Sequence, residues 1–185
     1  KIKENINLKK FEIIYLDDNS KDNTSKILKE INKKDKRVKF IIRNKKERDL
    51  SKSCILGFNK SIYKNILVMD GDLQHDPKYI TKLIERYNST SSDIVVGCRN
   101  FFTKKNNGLD FFRTLVSIFL ICIINITLGK KTSDPMSGFF LFKKKIFFKS
   151  KKKFYKKGYK ILADIIYSNI SFIEINDKKI NFKKR

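Results

Sequence analysis

Three acidic residues lie close together in the segment LVMDGDLQHDP, residues 67–77, of a chain in which basic residues far outnumber acidic ones. Asp70 and Asp72 flank Gly71 directly after an apolar run. Two carboxylates on a turn that leaves a strand can direct oxygen ligands to one hard cation, such as Mg²⁺ or Mn²⁺. An ion of this kind takes few protein ligands and keeps positions open for substrate phosphates. The alternative is that both aspartates are ordinary turn and capping residues.

Apolar runs that end at polar residues give this acidic stretch its structural context. The run FEIIYL ends at Asp17 and Asp18, ILVM ends at Asp70, and DIVVGC ends at Arg99. Helical patterns separate these runs, and strands that alternate with helices predict an α/β fold with a mostly parallel, doubly wound sheet. Ligands of such sheets bind beyond the carboxyl ends of the strands. We therefore expect these polar side chains to contribute to a ligand site.

The same patterns predict the approximate bounds of the elements. The predicted strands cover residues 11–16, 38–42, 66–69, 93–98 and 172–175, and the predicted helices cover 24–34, 50–61, a segment that begins at Pro77, and 159–167. Asp76 is predicted to cap the helix that starts at Pro77, because aspartate is favoured at the N-cap and proline at the first helical position.

An apolar segment at 109–128 is predicted to be a helix. Its last 18 residues, FFRTLVSIFLICIINITL (111–128), carry only one charge, Arg113. A membrane-spanning helix needs about 20 apolar residues, and the arginine, an asparagine and two threonines argue against that assignment. A helix that lies in the membrane interface, or one that packs on the domain, fits the segment better.

The composition limits the remaining possibilities. A chain of 185 residues with 41% hydrophobic content is expected to fold as a single domain, residues 1–185. The net charge of +24 has three explanations: an anionic membrane surface, nucleic acid, or the bias of an AT-rich coding sequence. The three cysteines are widely spaced, which indicates reduced, buried thiols rather than disulfides or zinc ligands.

Three blocks in a fixed order point to a known family. The block MDGDLQHDP, with DDNSKDNT upstream and SDPMSGFFLF downstream, resembles the polyprenol (dolichol) phosphate sugar synthases, which are family 2 glycosyltransferases. The resemblance covers nearly the whole chain, from Phe11 to Arg185. It implies the GT-A fold, a Rossmann-like α/β domain whose mostly parallel sheet is flanked by helices.

The resemblance also implies a role for particular residues. Asp70, Asp72 and Gln74 would hold the metal, Mg²⁺ or Mn²⁺, that bridges the donor's diphosphate. Further roles follow for the nucleotide sugar (Asp17, Asp18, Asp70, Arg99), for the acceptor phosphate (Arg113, Ser117, Arg185) and for catalysis (Asp72, Arg99, Asp134). His75, the single histidine, is expected to support a ligand or shape the loop rather than bind the metal itself.

The implied reaction is inverting transfer of a mannose- or glucose-type hexose from a GDP- or UDP-sugar to a polyprenyl phosphate. It would take place at the cytoplasmic face of a membrane, to which the protein is peripheral or anchored. Asp134 lies where the family's catalytic base has been proposed. A phosphate monoester is largely anionic near neutral pH, because its second pKa is about 6, so it hardly needs a base. We therefore expect Asp134 to orient Arg113 or the sugar.

Three alternatives to this interpretation remain open. A family 2 glycosyltransferase that acts on a polysaccharide or another glycan would share the core motifs. A basic nucleic-acid-binding module would place aromatic residues beside its lysines for base stacking, whereas the aromatics here cluster in apolar runs such as GFFLF. A silent membrane-associated fragment is the third possibility. No nucleic-acid partner is predicted.

The sequence departs from the family pattern at several places. The family's first strand, with its nucleotide-binding turn, is missing ahead of KIKENINLKK, and the family segments that follow Arg185 are absent. The chain is therefore expected to be a fragment truncated at both ends, with unpaired edges on the strands FEIIYL and ILVM. Asp49 stands where relatives often have glycine.

Overall fold

The computed structural model describes residues 10–44, 48–72, 74–99, 111–129, 131–155 and 158–182. The described residues fall into two compact units. The smaller unit contains those within 8–63 and 155–161, and the larger unit contains those within 64–154 and 162–185.

The smaller unit is a β-α-β segment followed by a second helix. Strands β1 (Ile13–Asp17) and β2 (Val38–Ile42) pair in parallel and are joined by helix α1 (Thr24–Lys34), and helix α2 (Leu50–Lys60) follows. The α2 helix lies close against β1, because a Cβ at Gly57 would come within 2.6 Å of the Leu16 side chain. The bounds of α1 and β2 are those predicted.

The larger unit is built on a four-stranded sheet with the order β3-β5-β4-β6. Its elements are β3 (Asn65–Val68), α3 (Lys78–Asn88), β4 (Ile94–Arg99), α4 (Phe111–Leu128), β5 (Phe140–Lys143), α5 (Lys144–Ser150), α6 (Ile161–Asn169) and β6 (Ile175–Ile180). Side chains of α3 pack on the sheet in one buried cluster that includes Leu83, Val95, Phe139 and Leu141.

The α/β fold class is confirmed, and the larger sheet is mixed rather than mostly parallel. Strand β5 is antiparallel to both β3 and β4, whereas β4 and β6 are parallel. A hydrophobic pattern does not encode strand direction, so it could not show that β5 is antiparallel. The segment FLFK is apolar because β5 lies between two strands in a buried sheet. Among the described residues, β1 pairs only with β2 and β3 only with β5.

The start of α3 differs slightly from the prediction. Pro77 takes the N-cap position rather than the first helical one, and Asp76 lies one residue earlier. The Asp76 carboxylate still accepts a hydrogen bond from the backbone N–H of Lys78, at 3.1 Å. It therefore satisfies a donor of the first turn, as a capping residue does.

The apolar segment forms the 18-residue helix α4, with bounds close to those predicted. Many of its described apolar side chains are exposed, and Ile126 (82%) and Phe119 (66%) are the most exposed of them. Cys122 is also exposed, so the prediction of three buried thiols is wrong at this position. None of the helices in the described part of the chain is long and apolar enough to span a membrane.

Candidate active site

The acidic stretch leaves β3 as a turn rather than as a regular element. The carboxylate of Asp72 accepts a hydrogen bond from the backbone N–H of Gln74 at 3.1 Å, an Asx-type contact that holds the turn. A Cβ at Gly71, between the two aspartates, would meet nothing within 4 Å. The space beside this turn is therefore open to an incoming group.

A cavity of about 100 Å³ opens beside Asp70 in the larger unit. This volume is enough for a few water molecules or a coordinated ion, since a water occupies about 30 Å³ in the liquid. The cavity lining combines acidic, amide, imidazole and guanidinium groups with three residues of the SDPMSG loop: Asp70, Gln74, His75, Arg99, Met136, Ser137, Gly138 and Phe182.

The SDPMSG loop, residues 133–138, is fixed to the end of β4 by its own hydroxyl groups. The hydroxyl of Ser137 donates to the carbonyl of Gly97 at 2.6 Å and accepts from the backbone N–H of Phe139 at 3.2 Å. A Cβ at Gly97 would come within 2.8 Å of the Phe139 ring. The loop can approach β4 this closely because Gly97 has no side chain.

Asp177 on β6 holds the other end of this loop. Its carboxylate accepts hydrogen bonds from the Thr132 hydroxyl at 2.6 Å, the Ser133 hydroxyl at 2.6 Å and the Ser133 backbone N–H at 2.8 Å. Asp177 is not among the site residues predicted from the sequence. The only signal was an acidic residue two positions after the strand predicted at 172–175, and nothing local connects it to a loop so far upstream.

Arg99 and Asp134 form a buried, bidentate ion pair at the cavity. Nε of Arg99 lies 2.8 Å from Oδ2 of Asp134, and Nη2 lies 3.0 Å from Oδ1. The side chain of Asp134 is fully buried. Such a fork-to-fork pair fixes the plane of the guanidinium as well as its position. Arg99 is thus a partner of Asp134 that the motif pattern did not indicate, and the expected role of Asp134 toward Arg113 or the sugar stays a prediction.

Asp70 lies between a glycine and the single histidine. A Cβ at Gly138 would overlap the Asp70 carboxylate and lie 2.7 Å from its Cγ. On another side, Nε2 of His75 lies 3.5 Å from Oδ2 of Asp70. The Asp70 side chain is still 34% exposed, so its carboxylate is held from two sides and open toward the cavity.

The cysteine next to Arg99 is structural. Cys98 is buried, and its thiol lies 3.7 Å from the Thr132 hydroxyl. Burial raises the pKa of the Cys98 thiol far above its ordinary value, and the nearby Asp177 carboxylate adds to this rise. The thiol therefore stays protonated near neutral pH and is not a nucleophile.

In the smaller unit, the acidic pair at the end of β1 is engaged by the protein itself. Asp18 pairs with the buried Arg43 at 3.0 Å. It also accepts hydrogen bonds from the backbone N–H of Asp49 at 3.0 Å and the Ser53 hydroxyl at 2.6 Å. Asp17 accepts from the hydroxyl and backbone N–H of Ser20.

Asp49, the departure from the family pattern, caps α2. Its carboxylate accepts a hydrogen bond from the backbone N–H of Lys52 at 3.0 Å. Burial favours a higher pKa for Asp49, but the backbone N–H groups of Lys52 and Gly158 and the Lys52 ammonium together lower that pKa below its ordinary value. An aspartate here thus serves the helix start directly.

Three predicted acceptor-site residues cannot be placed by their side chains. Arg113 and Ser117 lie in α4, but their side chains fall outside the described part, and Arg185 lies outside the described residues. Among the described residues, no three His, Cys, Asp or Glu side chains are grouped as metal ligands. Of the predicted metal ligands, Asp70 and Gln74 line the cavity, and Asp72 is not among its lining residues.

The family model "Glycosyl transferase family 2" matches residues 1–149. The chain belongs to this family, as the order of its motifs predicted. It is also 37% identical to a dolichol-phosphate mannosyltransferase of Pyrococcus furiosus, over 84% of this chain and 44% of that protein. A dolichol-phosphate mannosyltransferase of Mycosarcoma maydis is 28% identical over 94% of this chain and 58% of its own length.

Solved structures support the fold. Glucosyl-3-phosphoglycerate synthase from Mycobacterium tuberculosis, in complex with Mn²⁺ and UDP-glucose, superposes with a TM-score of 0.65 at 14% identity. The match covers 93% of this chain and 59% of that one. This chain therefore spans about half the length of the relatives it matches, and the GT-A fold assignment is confirmed.

Proposed function

We propose that the full-length protein transfers a hexose from a nucleotide-diphosphate sugar to a polyprenyl phosphate, with inversion at the anomeric carbon. One observation carries this proposal: Asp70, Gln74 and Arg99 line the same cavity, and the SDPMSG loop closes one side of it. Membership of glycosyltransferase family 2 supports a nucleotide-diphosphate sugar as the donor. Similarity to two dolichol-phosphate mannosyltransferases favours the lipid phosphate as acceptor.

The residues around the acidic stretch fit a divalent metal. Asp70, Asp72 and Gln74 offer only oxygen ligands, which suit Mg²⁺ or Mn²⁺, and the turn that carries them opens to empty space at Gly71. When bound, such an ion would act as a Lewis acid toward the departing diphosphate. The chain's own contribution is to hold Asp70 in place and to keep Gln74 on the same cavity.

Arg99 supplies positive charge at the cavity, and Asp134 positions it. We propose that the guanidinium contacts the diphosphate sugar and stabilises the negative charge that develops on the leaving group. A carboxylate that is fully buried and bonded through both oxygens to one arginine is poorly placed to take a proton from an acceptor. Asp134 therefore acts through Arg99, and the acceptor phosphate attacks as the anion.

Roles for the remaining predicted residues complete the proposal. Asp17 and Asp18 would contact the nucleoside through their loop, because the Asp18 carboxylate is already engaged by Arg43 and Ser53. Arg113 and Ser117 are four residues apart in α4 and so share a face of that helix. With Arg185 they would bind the acceptor phosphate.

An anionic membrane at the cytoplasmic face is the proposed location of the reaction. Helix α4 exposes apolar side chains that suit the interface between headgroups and acyl chains, among them Leu115, Phe119 and Ile126. The segment 143–153 holds seven lysines and no acidic residue. Each lysine near an anionic surface is worth about 1 kcal/mol, so both features favour binding to the same kind of surface.

The test is a sugar-transfer assay on membranes that contain the full-length protein. It uses radiolabelled GDP- and UDP-hexoses, polyprenyl phosphate and Mn²⁺ or Mg²⁺, with Asp72→Asn as the inactive variant and Asp76→Asn as the matched control. We expect label in the organic phase with one donor, loss in Asp72→Asn and retention in Asp76→Asn. Label only in water-soluble or glycan products, or none with folded protein, would overturn the lipid-phosphate acceptor.

A further inference from the structure

We propose that His75 and Gly138 set the position of the Asp70 carboxylate, so that His75 is a positioning residue for the metal site. This inference rests on the proposed function, because it assigns Asp70 to a metal. It goes beyond the proposed function because it assigns a role to the chain's single histidine and gives a physical reason for the glycine of the SDPMSG loop.

The surroundings of His75 point to Asp70 as its polar partner. The imidazole is 2% exposed and packs against the rings of Phe139 and Phe182, with centroid distances of 5.1 and 4.7 Å. Its Nδ1 has no hydrogen-bond partner among the described residues. A histidine that served only the core would be expected to satisfy both nitrogens. Here Nε2 lies near a carboxylate oxygen, and Nδ1 is buried without a hydrogen-bond partner among the described residues.

The distance from Nε2 to Oδ2 of Asp70 is 3.5 Å, at the outer limit of a hydrogen bond. Hydrogen bonds at active sites are often long without ligand and shorten when the site is filled. A donated Nε2–H would occupy one side of Oδ2 and leave the other lone pairs directed at the cavity. Partners of this kind orient metal ligands, and their loss typically costs about 10–100-fold in metal affinity.

Gly138 limits Asp70 from the opposite side. Any Cβ at position 138 would occupy the space of the Asp70 carboxylate. The carboxylate ends a short, rotatable side chain, so Gly138→Ala would turn Asp70 aside at little cost to the fold. The glycine is therefore required by the metal ligand rather than by backbone conformation, since Gly138 does not have a positive φ.

Mn²⁺ titration of the full-length protein in detergent tests this inference. The free Mn²⁺ signal is followed by electron paramagnetic resonance, and thermal unfolding is measured in parallel. Relative to wild type, we expect about 10–100-fold weaker binding in His75→Phe and in Gly138→Ala. Binding should be largely restored in His75→Gln, because the glutamine amide places an N–H near the position of Nε2. Asp70→Asn should not bind Mn²⁺.

The outcomes separate the two claims. Binding as tight as wild type in both His75→Phe and Gly138→Ala, with binding lost in Asp70→Asn, would overturn the positioning role and leave the proposed metal site intact. Equal weakening in His75→Phe and His75→Gln would show that packing, not the N–H, matters, and would also overturn the role of His75. Undiminished binding in Asp70→Asn would overturn the metal site and this inference together.

Discussion

Two aspartates that follow strands, Asp18 after β1 and Asp70 after β3, have opposite surroundings. The carboxylate of Asp18 receives a guanidinium, a backbone N–H and a hydroxyl from its own unit. The carboxylate of Asp70 has a histidine on one side, a glycine on another and a cavity in front. The same residue type at the same kind of position is thus structural in one case and available to a ligand in the other.

The largest effect expected from this difference is on catalysis at Asp70. Asp70→Asn should lower sugar transfer by about 10³-fold or more, since a metal supplies several kcal/mol of charge stabilisation and tenfold in rate is about 1.4 kcal/mol. The free energy of unfolding should change by no more than about 0.5 kcal/mol, as for a partly exposed surface change. Transfer assays and denaturant unfolding check the two parts.

Asp76→Asn is the control for Asp70→Asn, because Asp76 lies in the same acidic stretch and contacts Lys78 instead of the cavity. A large loss of transfer in this control, or a loss of stability in Asp70→Asn comparable to that expected at Asp18, would remove the contrast between the two sites.

A loss of stability is expected at Asp18. Asp18→Ala leaves the buried guanidinium of Arg43 without its carboxylate, and breaking such a pair costs about 3 kcal/mol or more. Chemical denaturation of Asp18→Ala measures the loss, with Glu30→Gln on the exposed surface of α1 as the control. An unfolding free energy equal to that of wild type would show that Arg43 does not depend on Asp18.

The contrast between these two aspartates could not be predicted from the sequence. The pattern of apolar and polar residues predicted the bounds of α1 and β2 to the residue. This is possible because the spacing of apolar residues and the presence of turn residues are local signals. Three features depend on tertiary packing between segments far apart in sequence. They are the antiparallel direction of β5, the hydrogen bonds of Asp177 to the SDPMSG loop, and the close approach of Gly138 to Asp70. The spacing of apolar residues within one segment carries no information about which distant segment it packs against.

The sequence selects candidate site residues by type and order, whereas their mutual geometry comes only from the structure. Motif order identified Asp70, Gln74 and Arg99, which the structure brings to one cavity. It also identified Asp134 but not its partner Arg99, because this ion pair depends on the distance between the end of β4 and the SDPMSG loop. The expected supporting role of His75 stays a prediction, and its Nε2 lies 3.5 Å from Oδ2 of Asp70.

A smaller effect is expected at Asp49, beside Asp18. Asp49→Ala removes the N-cap of α2 and should cost about 1 kcal/mol of unfolding free energy. Asp49→Asn should restore most of that loss at neutral pH, because asparagine also caps helices well. Thermal or denaturant unfolding distinguishes the variants. Equal losses in Asp49→Ala and Asp49→Asn would show that charge, not capping, is what Asp49 contributes.

The smallest effect expected is a pH-dependent one at Asp93, which lies 2.9 Å from the ammonium of Lys143. Burial favours a higher pKa for Asp93, but hydrogen bonds from Lys143 and the backbone N–H of Glu174 lower its pKa overall. A lowered folded-state pKa stabilises the fold above the unfolded value of 3.8, and this contribution is lost as the pH falls through the folded value.

Asp93→Asn should therefore lose about 0.5–1 kcal/mol at neutral pH, in the range of a partly exposed ion pair. Its stability should then fall less steeply than that of wild type below about pH 4. Unfolding measured from pH 3 to pH 7 checks this, and parallel curves for the two proteins would contradict the assignment.

The most direct measurement is a crystal structure of the full-length protein with Mn²⁺ and GDP or UDP, in which anomalous scattering locates the metal. We expect a peak bound to the Asp70 and Asp72 carboxylates, with the diphosphate at the Arg99 side of the cavity and Asp18 still paired with Arg43. A metal bound elsewhere, or Asp18 released from Arg43 to bind it, would contradict the central distinction between these two aspartates.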